Sequence, residues 1–134
     1  MKATRLERDL LGVRDIPNEA YWGVHTLRAV ENFPISGVPI GHYRSLVRGL
    51  GFIKEASASA NLKLGVITSE IAEPIIKACI EVRDGKFDDQ FVVDAIQGGA
   101  GTSTNMNANE VICNRALEIA GFDKGEFQHI HPLN

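Results

Sequence analysis

Over three separate stretches, apolar residues return every third or fourth position, and this rhythm constrains the chain more than any other feature. Tyr43, Leu46, Val47, Leu50, Ile53 and Ala60 predict one helix from about His42 to Leu62 with a single apolar stripe. Gly49 and Gly51 each cost about 1 kcal/mol relative to alanine inside a helix, so close packing is expected there. The Ala56-Ser57-Ala58-Ser59-Ala60 run offers a narrow face for the same purpose. Ile71, Ile75, Cys79 and Ile80 or Val82 predict the inner face of a second helix. Thr68 or Ser69 stands at its N-cap, Glu70 in its first turn and Asp84-Gly85-Lys86 at its close. Pro74 either kinks that helix or marks a restart, because an interior proline loses a backbone bond. Ala108, Val111, Ile112, Ala116 and Ile119 predict a third helix, about Asn105 to Ala120, capped by Gly121.

The remaining segments are shorter. Residues 1–20 are charged and broken by Gly12 and Pro17, which predicts an irregular arm holding at most a short strand. Tyr21 to Phe33 reads as a short helix stopped by Pro34, and Ile35 to Ile40 as extended. No alternation of strands and helices suggests a nucleotide-binding sheet. The fold class is mainly α, with three to five helices and a short extended element at the N-terminus. At 134 residues, without repeats or a linker, one domain is expected.

Charge narrows the partners. Fourteen basic residues stand interspersed among 17 acidic ones, for a net charge of −3, so no basic face attracts nucleic acid or an anionic membrane. Uncharged apolar stretches fall far short of the roughly 20 residues that span a bilayer. The charged start of the chain has no apolar run behind it, so a secretory signal is not expected. Cys79 and Cys113 read as buried free thiols, and the cytoplasm as the compartment. Gln128-His129-Ile130-His131 has a His-x-His spacing but no evident third ligand, so no metal is assigned. Asp88-Asp89-Gln90 reads as a solvated loop.

One stretch stands apart: Gln97-Gly98-Gly99-Ala100-Gly101-Thr102-Ser103-Thr104-Asn105-Met106-Asn107-Ala108-Asn109-Glu110. Its glycines let the backbone turn tightly and a ligand approach closely. Three hydroxyls and an asparagine then arrive as the third helix begins. There, unpaired N–H groups and about half a positive charge attract a carboxylate or phosphate. Two readings stand side by side. Either Thr102 to Asn105 form a neutral anion cradle, or a plain loop leads into an N-cap that needs only one of the hydroxyls.

The same residues carry a family likeness. Gly98 to Glu110 resembles the first signature region of the fumarase/aspartase superfamily. Gly23-Val24-His25-Thr26-Leu27-Arg28-Ala29, within Tyr21 to Phe33, resembles the aspartase branch; fumarases have Trp-Gly-Ala-Gln-Thr-Gln-Arg there. Glu7-Arg8-Asp9-Leu10-Leu11-Gly12 is similar to the aspartase opening, and the likeness runs over residues 5–134.

The resemblance implies an N-terminal domain of that fold, from an ammonia-lyase that reversibly converts L-aspartate to fumarate and ammonia without a cofactor. In that chemistry a proton leaves Cβ, an enediolate-like carboxylate forms, and ammonia departs. Fixed hydrogen-bond donors stabilise that charge better than water does. Thr102 matches the family's substrate-contacting threonine, with Ser103, Thr104 and Asn105 in support. His25 and Arg28 match the aspartase pattern, His25 as a packed, hydrogen-bonded residue and Arg28 as an ion-pair or anion contact. His131-Pro132-Leu133-Asn134 is similar to the His-Pro-Asn-Asp stretch of a secondary anion site in fumarases, and departs from it at Leu133.

The family's Ser-Thr-Asn-Asp loop, and its Gly-Ser-Ser-x-Met-Pro loop with the catalytic serine base, do not occur in residues 1–134. No catalytic residue is therefore assigned in this segment. The base is expected beyond Asn134, the segment alone is expected to be inactive, and the parent is expected to be a homotetramer. Two other readings stay open: the N-terminal domain of a fumarate hydratase, and a domain that serves only assembly or packing.

Overall fold

The computed structural model describes residues 3–134; Met1 and Lys2, the start of the predicted arm, lie outside that range. The chain forms β1 (Thr4–Asp9), β2 (Gly12–Pro17), α1 (Val24–Asn32), α2 (Arg44–Lys63), α3 (Ser69–Arg83) and α4 (Thr102–Ile119). Short 3-10 turns occupy Ile40–His42 and Asp88–Gln90, the second where a solvated loop was expected. The fold is mainly α with a small extended element at its N-terminus, as the apolar rhythm predicted.

The arm is more regular than its composition suggested. β1 and β2 pair antiparallel, with Glu7 opposite Arg14 and Asp9 opposite Gly12. Gly12 turns the chain at φ +124°, a conformation that side-chain-bearing residues rarely adopt. A half-buried strand is normally recognised by apolar residues on its covered face. Here the covered face carries Arg5 and Glu7, while Leu6 points outward at 64% exposure. The alternation is inverted, which is why the sequence did not announce a hairpin.

The helices form the core. α2 does not bury one stripe: Val47, Gly51 and Ala58 are buried, whereas Tyr43, Leu46 and Ile53 lie on an exposed face. A β-carbon at Gly51 would stand 2.9 Å from Arg83 Cβ, so this glycine lets α2 and α3 approach; Gly49 meets nothing within 4 Å. α3 runs unbroken through a buried Pro74 rather than restarting there. Pro74 sits only five residues beyond Ser69, so the helix gives up one early backbone bond. Its buried face is Ala72, Pro74, Ala78, Cys79 and Val82, and the larger Ile71 and Ile75 are only partly covered. The α4 residues Ala108, Val111, Cys113, Ala116 and Leu117 pack with Val47, Val82, Phe91 and Ile130 in the main cluster. Cys79 and Cys113 are buried free thiols, as expected. Burial pushes the Cys79 thiol up to about 12, which keeps it protonated.

Two extended segments complete the frame that leads to α4. Ile40 and Gly41 donate backbone N–H bonds to Val93 and Phe91 at 2.9 Å each, and Ala95 donates to Val38 at 2.8 Å. They hold residues 91–95, and with them the entrance to α4, against the chain before α2.

Candidate functional site

Asp94 anchors the loop before α4. Its carboxylate accepts the N–H groups of Ser36 (2.8 Å), Gly37 (2.9 Å) and Ile96 (2.7 Å) and the Ser36 hydroxyl (2.7 Å). The Ser36 hydroxyl, followed by these amides, holds the Asp94 carboxyl well below the usual carboxylate range. Gln97 then bridges loop and helix. Its Nε2 donates to the Asp94 carbonyl at 2.8 Å, and its Oε1 accepts the Thr104 N–H at 2.9 Å and the Thr104 hydroxyl at 3.0 Å.

The glycines have separate duties. Gly99 and Gly101 take φ of +79° and +82°, which permits the tight reversal into the helix. A β-carbon at Gly98 would stand 3.2 Å from the Phe33 ring. Gly101, not a hydroxyl, stands at the N-cap of α4, and the side-chain bond at that end comes from Gln97 to the Thr104 N–H. The N-cap reading of Thr102 is thereby corrected, and the helix begins three residues before the expected Asn105.

The result is an open helix entrance. Gln97 satisfies the Thr104 N–H, and Gly101 O accepts the Asn105 N–H at 2.9 Å. The N–H groups and hydroxyls of Thr102 and Ser103 have no partner among the described residues. Thr102 is exposed and Ser103 half-buried. Lys54 reaches across from α2, its ammonium donating to Asn105 Oδ1 at 2.5 Å. Burial of this ammonium lowers its pKa. Beside Lys54 a pocket of about 130 Å³ opens between Ser57, Asn61, Asn109, Cys113 and His131. Unpaired donors, the positive helix end and a neighbouring ammonium make this a place for a small anion.

The structure brings Thr102, Ser103, Thr104 and Asn105 onto one turn, but occupies two of them: Thr104 with Gln97 and Asn105 with Lys54. His131 lies on the rim of the neighbouring pocket, its Nδ1 accepting the Leu133 N–H at 3.1 Å. The two histidines of the His-x-His run turn to different rings, His129 stacking on Phe122 and His131 meeting Phe127 edge-on. His25 and Arg28 do not join the turn. Arg28 forms a forked pair with Asp9 at 2.6 and 2.8 Å. His25 Nδ1 lies 3.1 Å from Glu110 Oε1. Glu110 is eight residues along α4 from Thr102, about 12 Å at the helical rise.

Sequence reasoning missed Lys54, Gln97 and Asp94. A lysine in a run of small and apolar residues, Ile53-Lys54-Glu55-Ala56, was the available signal for the first. Asn107 and Glu110, inside the signature stretch, have a different role from the one their place in it suggests. Both are buried, and Asn107 serves backbone: its Oδ1 accepts the Val93 N–H at 3.3 Å and its Nδ2 donates to Gln90 O at 2.9 Å.

The model of a family described as lyase matches residues 12–133. An aspartate ammonia-lyase of Pseudomonas fluorescens is 57% identical over 97% of this chain, and that of Escherichia coli K12 is 54% identical over 96%. The chain spans only 27% of the length of either relative. Among solved structures, fumarate lyase:delta crystallin from Brucella melitensis superposes with a TM-score of 0.95 at 55% identity, covering 96% of this chain and 28% of that one. A class II fumarase from Schistosoma mansoni gives 0.83 at 37% identity, covering 94% of this chain and 28% of the other.

Proposed function

The chain belongs to the lyase family, and on that footing we propose that it is the N-terminal part of an aspartate ammonia-lyase. The enzyme converts L-aspartate reversibly to fumarate and ammonia. Residues 1–134 supply one wall of the substrate site, as a single domain, and do not turn over substrate alone. The observation that carries this reading is the unpaired first turn of α4. The Thr102 hydroxyl, with the N–H groups of Thr102 and Ser103, donates to a substrate carboxylate at the positive helix end. As the Cβ proton leaves, charge grows on the β-carboxylate, and fixed donors that need no reorganisation stabilise it. Ammonia then departs with the C–N bonding pair, and the double bond of fumarate forms.

Ser103 supports Thr102 directly, while Thr104 and Asn105, tied to Gln97 and Lys54, hold the turn in place. His25, Arg28 and His131 lie outside this contact. No residue of 1–134 is assigned as the general base. The chain needs no cofactor for this role, works in the cytoplasm and enters a homotetramer, and neither nucleic acid nor membrane is a partner. No described helix is long and apolar enough to cross a membrane. The fumarate hydratase reading is weaker, since identity to the fumarase is 37% against 57% to the aspartate ammonia-lyase.

Thr102→Val in the full-length enzyme tests the proposal, because it keeps the branched shape and deletes the donor. Turnover is expected to fall about 10²–10³-fold, the usual effect of removing one such donor. Thr102→Ser should recover much of it. Near-normal kcat/KM in Thr102→Val would end the substrate-contact reading.

A further inference from the structure

Where α1 begins, two buried carboxylates from distant parts of the chain meet. Glu7 comes from β1 and Glu110 from α4, and they are 3% and 1% exposed. Between them they cap α1, whose own N-cap, Gly23, has no side chain to do so. Glu7 Oε1 accepts the Val24 N–H at 3.2 Å. Glu110 Oε1 accepts the His25 and Thr26 N–H groups at 2.9 and 3.3 Å. Glu7 Oε2 accepts from Arg5 Nε at 2.8 Å. Glu110 Oε2 remains, buried and without a partner among the described residues.

A β-carbon on Gly23 would stand 2.3 Å from the orphaned Glu110 Oε2 and 2.4 Å from Glu7 Oε1, so both oxygens border one small space beside Gly23. Two ionised carboxylates there would set acceptor against acceptor among buried groups, with only the Val24 N–H on Glu7 Oε1 and no donor on Glu110 Oε2 among the described residues.

We propose that the two side chains hold one proton between them, so that Glu110 Oε2 and Glu7 Oε1 form a carboxyl–carboxylate hydrogen bond. The proton is taken from solvent as the chain folds, and one negative charge remains on the pair. It closes a joint between β1, the start of α1 and the middle of α4. Several charged or titratable groups face the pair. Arg5 on β1 binds Glu7, His25 on α1 binds Glu110, and the Cys113 thiol on α4 lies near both carboxylates. Arg14 on β2 stands opposite Glu7 but is bound to Glu31, Asp9 acts on His25, and Lys124 lies near Arg5. Burial raises the Glu7 carboxyl above its ordinary value, Arg5 opposes this, and Glu110 raises it further. A carboxyl raised on folding stabilises fully below its unfolded value. That contribution is lost as pH rises through the folded value. The hydrogen bond to Glu110 raises His25 also, and that contribution fades in the same direction.

Because both fade together, the test reads the carboxyl groups themselves. The side-chain carboxyl carbons of ¹³C-glutamate in the folded chain are followed by NMR from pH 4 to 9. Assignment uses Glu7→Gln and Glu110→Gln. The expected result is a titration from this pair at least one unit above the ordinary glutamate value of about 4.3. In Glu110→Gln the amide keeps Oε1 as acceptor and places an N–H where the shared proton was. The Glu7 carbon should then titrate at least tenfold lower in proton affinity. If both carbons in the wild-type chain complete their titration below pH 5, the proposal is overturned, whether or not the variants fold.

Discussion

The first turn of α4 and the turns that follow put polar side chains to opposite ends. At the entrance, the hydroxyls of exposed Thr102 and half-buried Ser103 have no partner among the described residues. Further along, Asn107, Glu110 and Asn114 are almost fully buried on one face. Asn107 joins α4 to residues 90–93, Glu110 to the start of α1, and Asn114 to Tyr21 O at 2.7 Å and the Gly125 N–H at 2.9 Å. A polar side chain inside a core tolerates little change because its partners have no water to turn to. One at an open helix end has given up nothing to the fold and is free for a ligand. The difference separates a buried scaffold from an open turn within one helix.

The most damaging change should fall at the scaffold end. Gly23→Ala would force a β-carbon between Glu7 and Glu110, and overpacking of this kind typically costs about 1–3 kcal/mol, towards the upper end here because both carboxylates are buried. Chemical denaturation should show the loss, and a variant as stable as the parent would mean that the two carboxylates part easily. Asn107→Ala comes next. It leaves the Gln90 carbonyl and the Val93 N–H unpaired, for a loss of about 2 kcal/mol and a Tm lower by several degrees. An unchanged Tm would erase the contrast between the two parts of α4. Smallest is Thr102→Val, whose stability should stay within about 0.5 kcal/mol of the parent because no protein group depends on that hydroxyl. A clear fall in Tm would move Thr102 from site to scaffold.

The sequence disclosed the helices and the location of the open turn, and it did so unevenly. α3 and α4 were legible because their apolar residues recur on a buried face, and Gly99 and Gly101 mark the reversal before α4. The stripe on α2 misled, since its spacing gives Leu46 and Ile53 the same rhythm as Val47 although they face outward. The hairpin stayed hidden because its inner face is charged. Arg5 there fastens Pro17, Ala20 and Trp22 through their carbonyls, a tether no local pattern encodes. On the open turn, Thr102 is marked by its place after the glycines, whereas Lys54, 51 residues from Asn105, declares its partner only when α2 lies beside α4. That Asn107 and Glu110 are buried, while Thr102 is exposed, shows only once α4 is packed against its neighbours.

The long reach of the bonds around the N-terminal arm also bears on how the chain is made. His25 waits for Glu110, 85 residues later, Tyr21 for Asn114, 93 later, and Glu19 for Lys124, 105 later. At a synthesis rate of about 5–20 residues per second, the arm leaves the ribosome roughly 5–20 s before these partners exist. Arg5 and the hairpin offer the arm some order of its own meanwhile, but Glu7 has no second carboxylate and α1 only half its cap. Contacts this distant in sequence close late and slowly. Leu6, Leu10 and Leu11 stay exposed in the folded chain as well, so the late contacts cover the arm's charged inner face and not its leucines.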